Sequence, residues 1–264
     1  MKTLIQVFLF LLGPFGALGQ ELYVQTEPAS NMASHSIGFR LNQDLKPMGE
    51  IRINPEIMLG LNKDWMVHIN LFASNDYQRP LNWEGFNLYG KYRIFANDEP
   101  QTHLRLSAFG RISYIQSQNP YHEINLQGDN SGYQGGLILT QLLHKVAISS
   151  SIDFSQEISQ ANQFKGNIHN PDQWDYSLSF GYLFLPQHYT SYKQTNLNLY
   201  LEFLGKNSLN QLGSYLDLAP SIQFIFQSRA RLDLGYSTQL WGNLSRNYNH
   251  NVFIRLEYTI FNAY

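Results

Sequence analysis

Charged side chains recurring at every second position are the most chemically suggestive feature of this chain. On one parity of its alternating segments the first half carries Arg40, Arg52, Lys91, Arg93, Arg105 and Arg111, with Glu56 alone against them. In the second half the same parity gives Asp153, Asp175, Glu202, Asp217, Asp233 and Glu257, with Lys145, Arg231 and Arg255 against them. If these residues line one water-filled space, a basic wall faces an acidic wall, and the transverse field between them orients and selects polar solutes. In a closed space the same groups would pair and simply hold it together. Met58, Phe72, Phe95 and Phe109 share the parity and add bulk to that interior.

Other chemistries are poorly served. Without cysteine the chain has no disulfide framework, no thiolate metal ligand and no lipid-anchor thiol. The nearest of the 8 histidines, His103 with His122 and His169 with His188, are 19 residues apart. A metal site would therefore need strand pairing, for example of His68 with His103, and neither a metal nor another cofactor is expected. No phosphate-binding glycine motif occurs, and Gly135-Gly136 fits close backbone packing in a strand. A net charge of −2 and the lack of a basic stripe argue against nucleic acid. An acyl hydrolase working on lipid needs Ser and His together at the membrane rim. His35 and Ser36 are adjacent in an extended segment and so point to opposite faces.

The elements that must position these residues are strands. Charged residues make up 14% of the chain against a usual ~25%, while 17 Tyr and 17 Phe are interleaved with polar residues. No apolar run is long enough for a membrane-spanning helix. Over residues 103 to 114, Leu104, Leu106, Ala108, Gly110, Ile112 and Tyr114 alternate with His103, Arg105, Ser107, Phe109, Arg111 and Ser113. This is period-two patterning. The same pattern recurs and predicts about twelve strands, near residues 35–43, 49–60, 64–73, 82–95, 102–115, 132–141, 145–155, 173–185, 193–204, 213–226, 229–240 and 250–262. Most reach the ~9 to 11 residues that a tilted strand needs to cross a bilayer. The fold class expected is all-β, a closed antiparallel transmembrane β-barrel, because only closure leaves no unpaired backbone in lipid.

Aromatics on the outward parity sort into two belts. Trp65, Tyr92, Tyr182 and Tyr258 fall near one end of the strands, and Tyr114, Tyr133 and Tyr176 near the other. Residues 1 to 19 have Lys2, the apolar run Leu4 to Leu12 and the small-residue finish Ala17-Leu18-Gly19, which predicts a cleaved signal peptide. The barrel then occupies residues 35–264, with both termini on the periplasmic side. Residues 20–34 precede the first strand and contain Pro28. They are expected either to hang in the periplasm or to fold into the bore as a plug, and Leu22, Tyr23 and Val24 would be poorly placed in free solvent.

At Glu27-Pro28-Ala29-Ser30-Asn31-Met32 and Ser36-Ile37-Gly38-Phe39-Arg40-Leu41 the chain resembles a family of Gram-negative outer-membrane transporter barrels related to the MetA-pathway of phenol degradation. The likeness continues at Ile53-Asn54-Pro55-Glu56-Ile57-Met58, Leu88-Tyr89-Gly90-Lys91-Tyr92-Arg93, Thr140-Gln141-Leu142-Leu143-His144-Lys145 and Leu216-Asp217-Leu218-Ala219-Pro220. The resemblance implies an outer-membrane barrel and brings no catalytic residues and no solute identity. Leu256-Glu257-Tyr258-Thr259-Ile260-Phe261 and the terminal Tyr264 resemble the aromatic-ended last strand that barrel-assembly machinery recognises. The expected partners are thus outer-membrane lipid, that machinery and a small solute of unknown identity. The expected function is a passive channel for small polar or weakly amphipathic solutes, not an enzyme. A non-conducting structural or assembly component of the envelope is the alternative, and an outer-membrane acyl hydrolase a more distant one.

Overall fold

The computed structural model describes residues 23–76, 79–100, 102–116, 119–158, 171–187, 191 and 194–264. The expected leader, residues 1–19, lies outside the described residues. Twelve strands follow one another: β1 Ser36–Leu45, β2 Ile51–Gly60, β3 Trp65–Ser74, β4 Asn82–Glu99, β5 Thr102–Ile115, β6 Gly132–Leu143, β7 Val146–Glu157, β8 Asp172–Leu185, β9 Asn196–Ser208, β10 Ser214–Phe226, β11 Ala230–Gly242 and β12 His250–Ile260. Each pairs antiparallel with the next, and β1 pairs with β12, so the sheet closes on itself. The alternation read from the sequence is the cause: one parity faces out and the other in, and closure removes the edges that an open sheet would expose.

The outward parity carries apolar side chains over the whole surface, including Ile69, Leu88, Ile112, Leu137, Ile152, Leu178, Leu201, Ile222 and Leu234. Trp65, Tyr92, Tyr114, Tyr133, Tyr176, Tyr182 and Tyr258 are all on this outer face, each between 39% and 54% exposed. A surface this apolar, with its polar parity turned inward, suits a bilayer and not water. Trp65 and Tyr92 sit side by side across β3 and β4 with ring centroids 4.8 Å apart.

Two prolines stand inside strands. No register pairs join β2 to β3 at Asn54 and Pro55, nor β10 to β11 at Ala219 and Pro220. A proline cannot donate to the ladder, and the interruptions fall where that missing donor sits.

One departure from simple alternation matters. In β4, Arg93 pairs with Ser107 but Phe95 pairs with Leu106, so Ile94 is an extra residue. A bulge of this kind flips the parity beyond it. Ile94 and Phe95 are therefore both exposed on the outer face, and Phe95 does not add to the interior as the alternation predicts. Met58, Phe72 and Phe109 keep their inward parity; Met58 and Phe72 are buried, and Phe109 faces the central cavity.

The connections at the end holding both termini are mostly short, at residues 61–64, 100–101, 144–145 and 227–229, whereas 186–195 is longer. Tyr264 closes that end: its hydroxyl donates to the Gly60 carbonyl at 2.9 Å, and its ring packs on His35. At the opposite end the 16-residue connection 116–131 turns back into the barrel, where Ile124 and Leu126 are buried.

Candidate functional site

The interior is filled from both ends, and its charged lining has definite partners. From the terminal end, residues 23–34 run up through the lumen. Their backbone groups, which have no strand to pair with, are matched instead by inward side chains of the barrel. Glu202, fully buried on β9, accepts from the amides of Val24, Gln25 and Thr26 at 3.0, 2.8 and 2.9 Å and from the Thr26 hydroxyl at 2.7 Å. Lys91, buried on β4, donates to the Pro28 and Ser30 carbonyls at 2.6 and 2.8 Å. Ser107 donates to the Ala29 carbonyl, the Ala29 amide donates to Thr140, Arg105 donates to the Ser30 hydroxyl, and Arg231 donates to the Tyr23 carbonyl.

An apolar cup receives the head of this segment. Tyr23 and Val24 pack with Leu142, Ala147, Tyr200, Ala219 and Phe253. The Tyr23 and Tyr200 rings meet edge-on at 5.5 Å. The cup depends on Gly181 and Gly235, where an added Cβ would lie 2.5 Å from the Tyr200 ring and 2.1 Å from the Phe253 ring. Neither aromatic could lie flat there over a larger residue.

The charged residues sort into local clusters. Because the barrel closes, β1 lies beside β12, and Arg40 pairs with Glu257 at 2.8 Å as well as with Glu56 at 3.2 Å and Glu27 at 2.9 Å. Residues assigned to opposite walls by chain order thus meet as neighbours. Although burial opposes ionisation, Arg40 and Lys91 hold the Glu27 carboxyl well below the ordinary range. Asp233 pairs with Arg231 at 2.6 Å, and Arg231 also reaches Glu257. Arg93 lies at the terminal rim against Asp64 and the Lys63 carbonyl, and Arg105 lies 2.9 Å from Asp98. Lys145 stands in the turn between β6 and β7, donating to the Gln187 carbonyl, and so is not a lining residue of the bore. Arg111 donates to Gln134, and Gln134 in turn donates to Asp153. Asp175 accepts from Gln173 and Ser155 and lies 3.8 Å from Lys206.

The long-loop end is held by residues that alternation cannot reveal. Arg52 pairs with Asp129 of the loop 116–131 and with Asp76 of the loop 75–81, and Lys46 also pairs with Asp76. Burial works against charge at Asp129, but Arg52 pulls its carboxyl down to about 2. Lys206 donates to the Ile124 carbonyl, Tyr215 donates to Glu123, and Asn87 donates to the Leu126 carbonyl. Asp217 is met by Arg246 of the loop 243–249 through two 2.9 Å bonds. Asp76, Glu123, Asp129 and Arg246 escape a reading by periodicity because connections have no parity; their acid–base complement to Arg52, Lys206 and Asp217 was the only signal.

Between the segment below and the loop above lies a cavity of about 290 Å³. Its floor is Val24 to Glu27, its roof includes Asn125 and Leu126, and its sides include Arg40, His68, Tyr89, Arg111, Asp153 and Asp175. His68 and His103 do not meet. His68 lies 2.5 Å from Glu56, and His103, on the far side of β4, lies 3.1 Å from Asp98. Among the described residues no group of three or more metal-ligating side chains is assembled. His35 is exposed, with its Nδ1 3.0 Å from the Ser34 hydroxyl, whereas Ser36 is buried with its hydroxyl on the Ala33 carbonyl.

No family model and no curated protein matches this sequence. The fold, however, is similar to solved outer-membrane barrels. The COG4313 outer membrane channel from Pseudomonas putida F1 aligns with a TM-score of 0.59 at 12% identity, over 90% of this chain and all of that one. The NanC porin aligns with a TM-score of 0.55 at 10% identity, over 85% of this chain and 98% of that one. The architecture is that of an outer-membrane β-barrel.

Proposed function

We propose that this chain is a passive outer-membrane channel for small polar or weakly amphipathic solutes, and that residues 23–34 obstruct its bore at rest. The observation that carries the reading is the way the lumen grips this segment. Backbone groups from Tyr23 to Ser30 are held by inward side chains of five strands. A segment anchored by side-chain hydrogen bonds can leave without breaking the barrel's own ladder, which an integral strand cannot do. Charged groups line the path that would then open, and they would select among solutes. That the two aligned barrels are described as a channel and a porin agrees with the reading. In this reading the apolar belt is the contact with outer-membrane lipid. The closing strand and Tyr264 are the surface offered to barrel-assembly machinery.

A second reading, a non-conducting envelope component, is favoured by the dense pairing of lumen arginines with carboxylates, which also rigidifies a closed interior. Planar-bilayer recording separates the two. Full-length protein should give rare or small openings, and a chain lacking residues 20–34 should conduct steadily. A folded barrel that stays silent without the segment would make the structural reading the correct one.

A further inference from the structure

We infer that the central cavity contains a binding subsite for a small organic carboxylate, built on β3, β4 and β5 around Arg111. The inference rests on the channel reading only for how the solute arrives, since the site itself follows from unfilled bonding capacity.

His68, Tyr89 and Arg111 stand in register on three consecutive strands, His68 opposite Tyr89 and Tyr89 opposite Arg111. All three line the cavity. The His68 ring lies 4.9 Å from the Tyr89 ring, the Arg111 guanidinium 5.2 Å from it, and the Phe109 ring lies tilted against it at 5.5 Å. Lumen arginines elsewhere are neutralised: Arg40, Arg52, Arg231, Arg246 and Arg255 each have a carboxylate within 4.0 Å. Arg111 has none among the described residues. Its one hydrogen bond among those residues goes to the neutral Gln134 amide, which stands between it and Asp153.

Three buried polar atoms in this row, Arg111 Nε, Tyr89 Oη and His68 Nε2, have no hydrogen-bond partner among the described residues. His68 and Tyr89 are only 2% and 3% exposed. Buried polar groups ordinarily find partners, and a cluster of three that do not is a place where a ligand supplies them. Arg111 Nε can only donate and the Tyr89 hydroxyl can donate as well, and the guanidinium brings a positive charge with no carboxylate in direct contact among the described residues. The ligand that completes them carries paired anionic acceptors, which is the geometry of a carboxylate. His68 is fixed through Nδ1 by Glu56. That leaves Nε2 to meet a hydroxyl beside the carboxylate, a group that can both donate and accept. Phe109 and Tyr89 supply an apolar face against which a short carbon chain can lie.

The test is calorimetric titration of the full-length barrel in detergent with lactate, and with lactamide as its uncharged analogue. Lactate should bind and lactamide should not. Arg111→Gln should weaken lactate by about tenfold or more, Tyr89→Phe by several-fold with its ring retained, and outward Ile112→Val not at all. The site is overturned if wild type takes up no lactate, if lactamide or chloride competes as well as lactate does, or if Arg111→Gln binds unchanged while migrating as a folded, heat-modifiable barrel. Bilayer recording on the chain lacking residues 20–34 keeps the two readings separate. Lactate binding without conductance removes the channel and leaves the site, and conductance without binding removes the site alone.

Discussion

Substituting Glu202 by Gln should release the N-terminal segment without disturbing the barrel. The side chain is fully buried, and its two oxygens accept three backbone amides and one hydroxyl from residues 24 to 26 at 2.7 to 3.0 Å. Gln has the same shape but no charge, and its amide group turns a donor toward donors. Hydrogen bonds to a charged acceptor contribute about 1.5 to 3 kcal/mol each. The four share one carboxylate, and freed amides can bind water in the cavity, so a net loss of about 3 kcal/mol is the reasonable figure. At about 1.4 kcal/mol per tenfold, that raises the population of the detached segment by roughly 150-fold.

The assay is open probability in planar bilayers, with the chain lacking residues 20–34 setting the ceiling. Glu202→Gln should move most of the way toward that ceiling, while Ser177→Ala on the neighbouring strand should behave as wild type. If the shortened chain conducts but Glu202→Gln stays as closed as wild type, the hydrogen bonds described are not what holds the segment. The apolar cup around Tyr23 would then be the anchor.

Other outcomes follow from the same geometry. Leu137 is outward and mid-strand, so Leu137→Arg should cost about 2 to 4 kcal/mol and lower the heat-modifiable fraction on gels, whereas Leu137→Phe should not. In the chain lacking residues 20–34, replacing Arg93 and Arg105 with Ala should shift the reversal potential in a salt gradient toward cation selectivity; an unchanged potential would take both arginines out of the permeation path. The Asp129 carboxyl titrates at about 2 in the folded protein, below its unfolded value. Its hold on the loop 116–131 is therefore complete above about pH 4 and lost as pH falls toward 2. A nitroxide on Gln127→Cys, the sole thiol in a chain without native cysteine, should gain mobility only in that window.

Much of the barrel was legible because alternation reports a physical fact about each residue, namely which solvent it meets. That is why Trp65 and Tyr258 could be placed on the outer face and Arg40 and Glu202 inside without any coordinates. The same logic fails wherever the register changes or ends. Ile94 adds a residue to β4, and Phe95 turns to lipid although its number says otherwise. Lys145 falls in a turn, where parity has no meaning.

A deeper failure concerns who pairs with whom. Reading charges strand by strand yields two walls, because chain order separates Arg40 from Glu257 by most of the sequence. Closure makes them neighbours 2.8 Å apart, so the transverse field implied by the sequence is partly neutralised at the seam between β1 and β12. The remaining partners come from outside the strands: Glu202 and Lys91 spend their hydrogen bonds on residues 24 to 30, and Arg52 on two loops. Once those are subtracted, the lumen's bonding capacity toward a solute shrinks from a dozen charged residues to the few whose polar atoms remain unmatched. The row at His68, Tyr89 and Arg111, with three such atoms on adjacent strands, is the part of that remainder on which the proposed carboxylate subsite rests.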